Sequence, residues 1–192
     1  MVGLRAEQTG IVGNDKRLGR VLDALDEKRL WDKTLVIFVG DHGYHTGERG
    51  WWNKNTLFER SCRAPLVIAA SGMKGGQTSR SLVEFVDLNP TIASHCGLKI
   101  PHDVAGASLL PVLNEPTASI KDAAYTLVSR GPKLYGQSVR TIRWRFTRWS
   151  DGQTELYDHE RDPEESYDVS NQFPDVVNEL SLKLQKIGTP QT

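Results

Sequence analysis

The densest set of residues able to do chemistry lies in Gly40-Asp-His-Gly-Tyr-His-Thr-Gly-Glu-Arg-Gly-Trp-Trp-Asn-Lys54. Asp41 and His42 sit side by side in a turn bounded by Gly40 and Gly43. Glycine lets the backbone turn sharply and lets a ligand come close. A carboxylate and an imidazole in one tight turn can both face one ion or one substrate group. Gly and Asp are also ordinary turn formers, so the tetrapeptide alone does not choose between a ligand pair and a plain turn. Lys54 follows thirteen residues after Asp41, among tryptophans. Held there, it would be a fixed positive charge for an anionic group. Taken alone it also reads as a surface lysine whose stem lies over Trp52. Glu48 and Arg49 fit a pocket rim and a solvated charged turn equally well.

The flanking elements place this turn. Thr34–Val39 is a continuous apolar run, as expected of a central strand covered by helices, and it ends at once in the Asp-His turn. In open α/β sheets, ligands bind beyond the carboxyl ends of strands. A second run, Pro65–Ala70, closes at Ser71-Gly72. The loop between them is about two dozen residues long, a length usually reserved for function or disorder. Trp51, Trp52, Leu57 and Phe58 argue for order.

Before the first strand, Leu18, Val21, Leu22 and Leu25 fall on one face of a helix over 15–29. A second helix fits 87–96, with Pro90 in its first turn and Gly97 past its end. A short apolar stretch, Leu109–Leu113, follows in the weakly periodic segment that starts at Pro101. Residues 125–128, 138–141, 144–149 and 154–157 read as strands. In the third, Trp144, Phe146 and Arg148 share one face, and Arg145, Thr147 and Trp149 the other. Val177, Leu180, Leu184 and Ile187 form a helical stripe over 174–187. The expected fold class is α/β. Strands 34–39 and 65–70 share a sheet with helix 15–29 packed on it. A separate small antiparallel sheet over 124–157 has helix 174–187 against it. The division falls at 1–118 and 119–192.

Lys plus Arg and Asp plus Glu number 24 each, so the net charge is zero with histidine neutral. Nucleic acids and acidic membranes select a basic excess, which argues against both as partners. No stretch of about 18 apolar residues occurs, so no transmembrane helix is expected. Residues 1–19 lack an apolar core and do not read as a signal peptide. Cys62 and Cys96 read as buried structural thiols and indicate no compartment.

The loop resembles the formylglycine-dependent sulfatases of the alkaline-phosphatase-like superfamily, closest to the iduronate-2-sulfatase and choline-sulfatase-like branch. That family's strand ends in Asp-His/Asn-Gly, followed by Gly-Glu-His/Arg-Gly, Trp, Lys, Phe/Tyr-Glu and Arg/His-x-Pro-Leu. All have counterparts here, in order, from Asp41 to Leu66. The likeness extends to Gly19–Leu25 with Asp32–Ile37, to Leu82–Thr91, to Gly106–Pro111, and to Glu155–Asp158 with Asp162-Pro-Glu-Glu. Five such motifs in one order cover nearly the whole chain.

The resemblance implies roles. Asp41 and His42 match metal ligands, normally around Ca²⁺; His42 can equally touch the sulfate, because Ca²⁺ prefers oxygen. Lys54 matches the lysine on the sulfate ester, so His42 and Lys54 are the candidate catalytic residues. Tyr44 and Lys54 are the candidate substrate-binding residues. His45 carries no family role, and reads as a loop histidine bonded to backbone. The family's nucleophile motif, Cys/Ser-x-Pro-x-Arg, and its early Asp-Asp pair are absent from these 192 residues. The chain is therefore expected to be the C-terminal portion of a sulfatase. Its formylglycine lies in an N-terminal half, which is its natural partner. The parent's substrate would be a sulfated small molecule or glycan. Relatives are often periplasmic, extracellular or lysosomal. Two other readings stay open: a phosphate or phosphonate ester hydrolase of the same superfamily, and a non-catalytic anion-binding remnant.

Overall fold

The computed structural model describes residues 2–100, 103–131 and 134–187. Pro101, where the weakly periodic segment starts, and 188–192, the end of the second expected division, lie outside the described residues. Helix α1 spans Val2–Glu27. It starts earlier than the apolar stripe indicates and stops two residues sooner than expected. Arg29 adopts a left-handed φ of 53° there, and Leu30 N donates to Leu25 O at 2.9 Å. That six-to-one bond is the usual way a helix satisfies its last carbonyls. Leu18, Leu22 and Leu25 are only half-buried, and Val21 is 60% exposed.

Strands β1 (Val36–Val39) and β2 (Leu66–Ala69) do share a sheet. They form an antiparallel pair, with Val36 opposite Ala69 and Val39 opposite Leu66. The expectation of a central strand covered on both faces does not hold. Among the described residues the two strands pair only with each other. Phe38 and Val67, cross-strand partners, are 45% and 58% exposed. Their apolar composition anticipates cover that the described residues of this chain do not supply.

Between the sheets lie α3 (Leu88–His95) and α4 (Leu110–Asn114), joined by one buried carboxylate. Asp87 accepts Glu84 N at 2.7 Å, Ala107 N at 2.9 Å and the Lys121 ammonium at 2.7 Å. Thr91 on α3 accepts Leu109 N at 2.8 Å. Cys96, at the end of α3, is exposed and Cys62 is half-buried; both are free thiols, so the expectation of buried cysteines fails for Cys96.

The second sheet is a four-stranded antiparallel meander of β3 (Ala124–Ser129), β4 (Tyr135–Arg140), β5 (Trp144–Trp149) and β6 (Thr154–Asp158). β4 begins three residues before the expected Ser138, because Tyr135-Gly-Gln lacks apolar alternation. Gly136 is required there. A Cβ would lie 2.8 Å from the Trp149 ring and 2.7 Å from Leu57. Helix α5 (Pro174–Lys186) covers one face. Ala123, Val139, Phe146, Leu156, Leu180 and Leu184 form the core between them. Pro174 opens the helix, Asp175 sits in its first turn, and Lys183 and Lys186 sit in its last, as the helix dipole favours. As expected, this sheet is separate from β1–β2, and it packs against the earlier part of the chain. Its other face is covered by the long loop, with Phe58 edge-on to Tyr157 at 5.8 Å. No described helix is long and apolar enough to cross a membrane.

The exposed face of β1–β2 generates a first prediction. The chain should bind a hydrophobic fluorescent dye such as anilinonaphthalene sulfonate. Phe38→Thr with Val67→Thr should lower that signal strongly. Because both side chains are already exposed, the unfolding free energy should stay within about 0.5 kcal/mol of the parent's. Undiminished dye binding would show that the apolar surface lies elsewhere.

Candidate functional site

Asp41 and His42 leave β1 in a turn locked to helix α2 (Glu59–Cys62). Gly43 N donates to Ser61 O at 2.9 Å. A Cβ on Gly43 would meet the Arg60 carbonyl oxygen at 1.9 Å, so only glycine lets these segments touch. His42 Nδ1 lies 2.7 Å from Gly43 O. A carbonyl only accepts, so Nδ1 carries the proton, and in the neutral ring Nε2 presents its lone pair. That lone pair lies 3.4 Å from Asp41 Oδ2, on a carboxylate 87% exposed. Two acceptors this close call for a proton or a cation between them. The pair therefore fits one edge of a divalent-ion site, with the histidine oriented by its second nitrogen. One carboxylate and one imidazole are only part of what Ca²⁺ needs, about six to eight oxygens.

The loop after the turn folds back on itself. His45 N donates to Asn53 O at 3.0 Å, and Tyr44 Oη donates to Trp52 O at 3.0 Å. Residue 53 is thus returned to the turn, which brings the backbone of Lys54 close to it. The Lys54 side chain is exposed and its ammonium has no partner among the described residues. The structure joins Asp41 to His42; it leaves Lys54 and Tyr44 on the rim of the loop, both exposed.

His45 is fully buried. Its Nε2 lies 2.8 Å from Thr56 Oγ1, which lies 2.7 Å from Ser61 Oγ. The ring thus bonds a side-chain hydroxyl rather than backbone, and its Nδ1 is buried without a partner. Burial pushes its pKa down, keeping the ring neutral. Glu48 is a local cap, accepting Thr46 N at 2.7 Å and Thr46 Oγ1 at 3.0 Å.

One feature escaped the sequence. Arg145, on the loop-facing side of β5, is buried. Its Nε donates to Glu165 Oε1 at 2.6 Å, its Nη1 to Ser138 Oγ at 3.1 Å, and its Nη2 to Glu59 Oε2. Glu165 also accepts Glu59 N at 2.7 Å. Arg140 donates to Glu59 at 3.3 Å and to His159 Nδ1 at 2.9 Å. The His159 Nε2 proton then goes to Glu165 at 2.8 Å. Glu59, His159 and Glu165 bring ligand atoms within 4.8 Å of one another. Both ring nitrogens are already used, and two guanidiniums neutralise the two carboxylates, so this group is a charge-balanced lock and not a metal site. The available signal was Arg145, one of two arginines on an alternating strand. Such a face reads as solvated until another segment covers it.

Comparison with known proteins follows from this geometry. Residues 47–189 match the family described as N-sulphoglucosamine sulphohydrolase, C-terminal. The chain is 30% identical over 187 residues to Arylsulfatase K of Homo sapiens, covering 90% of this chain and 34% of that protein. It aligns at a TM-score of 0.85 and 28% identity with a structure solved in complex with its substrate D-glucosamine-2-N,6-O-disulfate, covering 92% of this chain and 38% of that one. Phosphonate monoester hydrolase from Silicibacter pomeroyi aligns at 0.81 with 26% identity, covering 90% and 38%. The chain spans about a third of the length of the curated relatives it matches.

The lock yields a second prediction. Arg145→Met removes the guanidinium shared by the buried Glu165 and the half-buried Glu59, leaving them only Arg140, His159 and a backbone N–H, and should cost about 3–5 kcal/mol in urea unfolding. Burial pushes the Glu59 carboxyl up, but Arg145 and Arg140 more than offset this and hold it below the ordinary glutamate range. A depressed pKa gives stability that is present above the unfolded value, about 4.3, and lost as pH falls below it. Stability should therefore drop on acidification through that region, and Arg145→Met should flatten the drop. A cost under about 1 kcal/mol would place the pair among solvated surface bridges.

Proposed function

We propose, on the premise that this chain belongs to the N-sulphoglucosamine sulphohydrolase C-terminal family, that it is the C-terminal part of a sulfuric ester hydrolase acting on a sulfated sugar. The observation that carries the reading is the Asp41–His42 pair. The Asp41 carboxylate and His42 Nε2 lie 3.4 Å apart, and no lysine or arginine among the described residues pairs with that carboxylate. They occupy a fold matched to a structure holding a glucosamine disulfate.

In this reading Asp41 and His42 are two of the ligands of a divalent cation, Ca²⁺ by family resemblance. When bound, that cation supplies fixed positive charge opposite the ester's non-bridging oxygens. Asp41 contributes the hard oxygen ligand. His42 keeps its Nδ1 proton on Gly43 O, so Nε2 stays aimed at the site. Lys54 meets the sulfate with its unpartnered ammonium, and Tyr44 borders the sugar. Charge developing on the sulfate oxygens in the transition state is what such fixed groups stabilise. The nucleophile, a formylglycine, and the remaining ligands come from an N-terminal part not contained in these residues. Turnover by the 192 residues alone is expected to be negligible.

A phosphonate ester hydrolase is the second reading, favoured by the alignment with the phosphonate monoester hydrolase. One experiment addresses both. In an enzyme carrying this chain behind its N-terminal part, Asp41→Ala should lose bound metal and activity together. Lys54→Ala should keep the metal and lose roughly 2.7–4 kcal/mol of transition-state stabilisation in kcat/KM. Assay on a glucosamine sulfate and on a phosphonate monoester, with metal content by mass spectrometry, checks it. Faster turnover of the phosphonate would replace the sulfatase reading. Full activity of Asp41→Ala would remove the metal assignment.

A further inference from the structure

A cleft of about 710 Å³ opens beside the long loop, and the site described above does not use it. Arg49, Trp51 and Phe58 line it from the loop, and Trp149, Asp151 and Glu155 from the β5–β6 hairpin. Arg130 also lines it. The Arg130 guanidinium carbon is 4.9 Å from the Trp51 ring centroid and 4.5 Å from that of Trp149. Its Nη2 donates to Asn55 O at 3.3 Å. No carboxylate among the described residues forms an ion pair with it.

A guanidinium held between two indoles is fixed in plane by cation–π attraction. It has five N–H donors in a planar fork, and one is spent on Asn55. The remaining edge suits the paired oxygens of a sulfate or carboxylate. Because the tryptophans have already ordered the side chain, little rotamer entropy is lost on binding. Arg49 adds a second cation without a carboxylate partner among the described residues. It sits 4.3 Å over Phe58 and donates to Tyr157 Oη at 3.5 Å.

The opposite wall is different. Asp151 is held by Gln153 N at 3.0 Å and Gln153 Nε2 at 3.1 Å. Glu155 accepts from Tyr157 Oη at 3.2 Å and Trp149 Nε1 at 3.5 Å. These carboxylates repel a free anion but accept from hydroxyl groups. A ligand with one anionic group and several hydroxyls satisfies both walls.

We infer that this cleft is a subsite for a second saccharide unit carrying a sulfate or carboxylate, with Arg130 as its anion receptor. The inference rests on the proposed function for its substrate class. It places the unit beside the scissile one, because Arg130 is tied to the residue that follows Lys54. Arg130 is thus a specificity-determining residue for an anionic glycan rather than for an isolated sulfated monosaccharide.

Binding to the full 192-residue chain tests this, read by NMR on the indole N–H resonances of Trp51 and Trp149. The probes are a heparin-derived sulfated disaccharide, the neutral disaccharide chitobiose, inorganic sulfate and a short oligoglutamate peptide. The sulfated disaccharide should shift both resonances saturably, and the other three should bind at least several-fold more weakly. Arg130→Ala should weaken it roughly ten-fold or more, the scale of a charged hydrogen-bonded pair. Arg130→Lys should also weaken it, because an ammonium offers no fork; unchanged amide resonances elsewhere confirm the fold. Lys186→Ala, at the exposed end of α5 on the other face of the sheet, should leave the affinity unchanged, which separates this subsite from general attraction to a cationic surface. Equal binding of chitobiose, sulfate or the peptide would overturn the inference, as would an unaffected Arg130→Ala or loss of binding in Lys186→Ala. Failure of the parent enzyme to hydrolyse sulfate esters would instead strike the proposed function and leave this binding result standing.

Discussion

The buried guanidinium of Arg145 is the point on which the rest of this molecule hangs. Removing two carboxylates and a guanidinium from water is expensive, and the attraction between them repays it only when every donor and acceptor is met. Here they are met. Glu59 and Glu165 flank Arg145, Ser138 takes a third N–H, and Arg140 and His159 close the ring. Such a cluster adds less stability than an apolar plug of equal volume might. What it fixes is register. Glu59 opens helix α2, α2 abuts Gly43, and Gly43 ends the turn that carries Asp41 and His42. The late sheet thereby holds in place a turn emerging from the early one.

Much of this fold was legible because periodicity is a local property. The four late strands and helix α5 announce themselves through alternation at Trp144–Trp149 and the stripe Val177–Leu184. The exchange of Arg145 from solvated to buried was not legible, because burial depends on a segment 86 residues away. Alternation correctly placed Arg145 opposite Phe146 and said nothing of what lies over it. β1 fails for the converse reason. Its residues are written for cover on two faces, and the described chain provides less. At the proposed site, residue types singled out Asp41, His42 and Lys54, and the family resemblance added Tyr44. Geometry added the tautomer of His42 and the sandwich around Arg130, whose three members are far apart in sequence.

The chemistry divides by hardness and by reach. In the proposed function Asp41 offers an oxygen to a cation, while Lys54 and Arg130 offer protons to anions. These roles sit on one continuous rim because His45 pins residue 53 to the turn and Asn55 receives Arg130. A sulfated sugar brings fixed charge at one place and hydroxyls at many. A rim that alternates cations, indoles and carboxylates matches such a molecule better than it matches a simple ion.

The long sequence separation of Glu59 and Arg145 has a temporal side. A chain grows from its N-terminus at about 5–20 residues per second, so these two residues enter the world some 4–17 s apart, taking their 86-residue separation. Throughout that interval Asp41 and His42 ride on a loop with nothing to seat it. The contact that seats it is non-local, and its loop-closure entropy must be met before the lock returns anything. Ordering of the Asp41–His42 turn is therefore a late step of biosynthesis, gated by a strand that carries none of the proposed site residues.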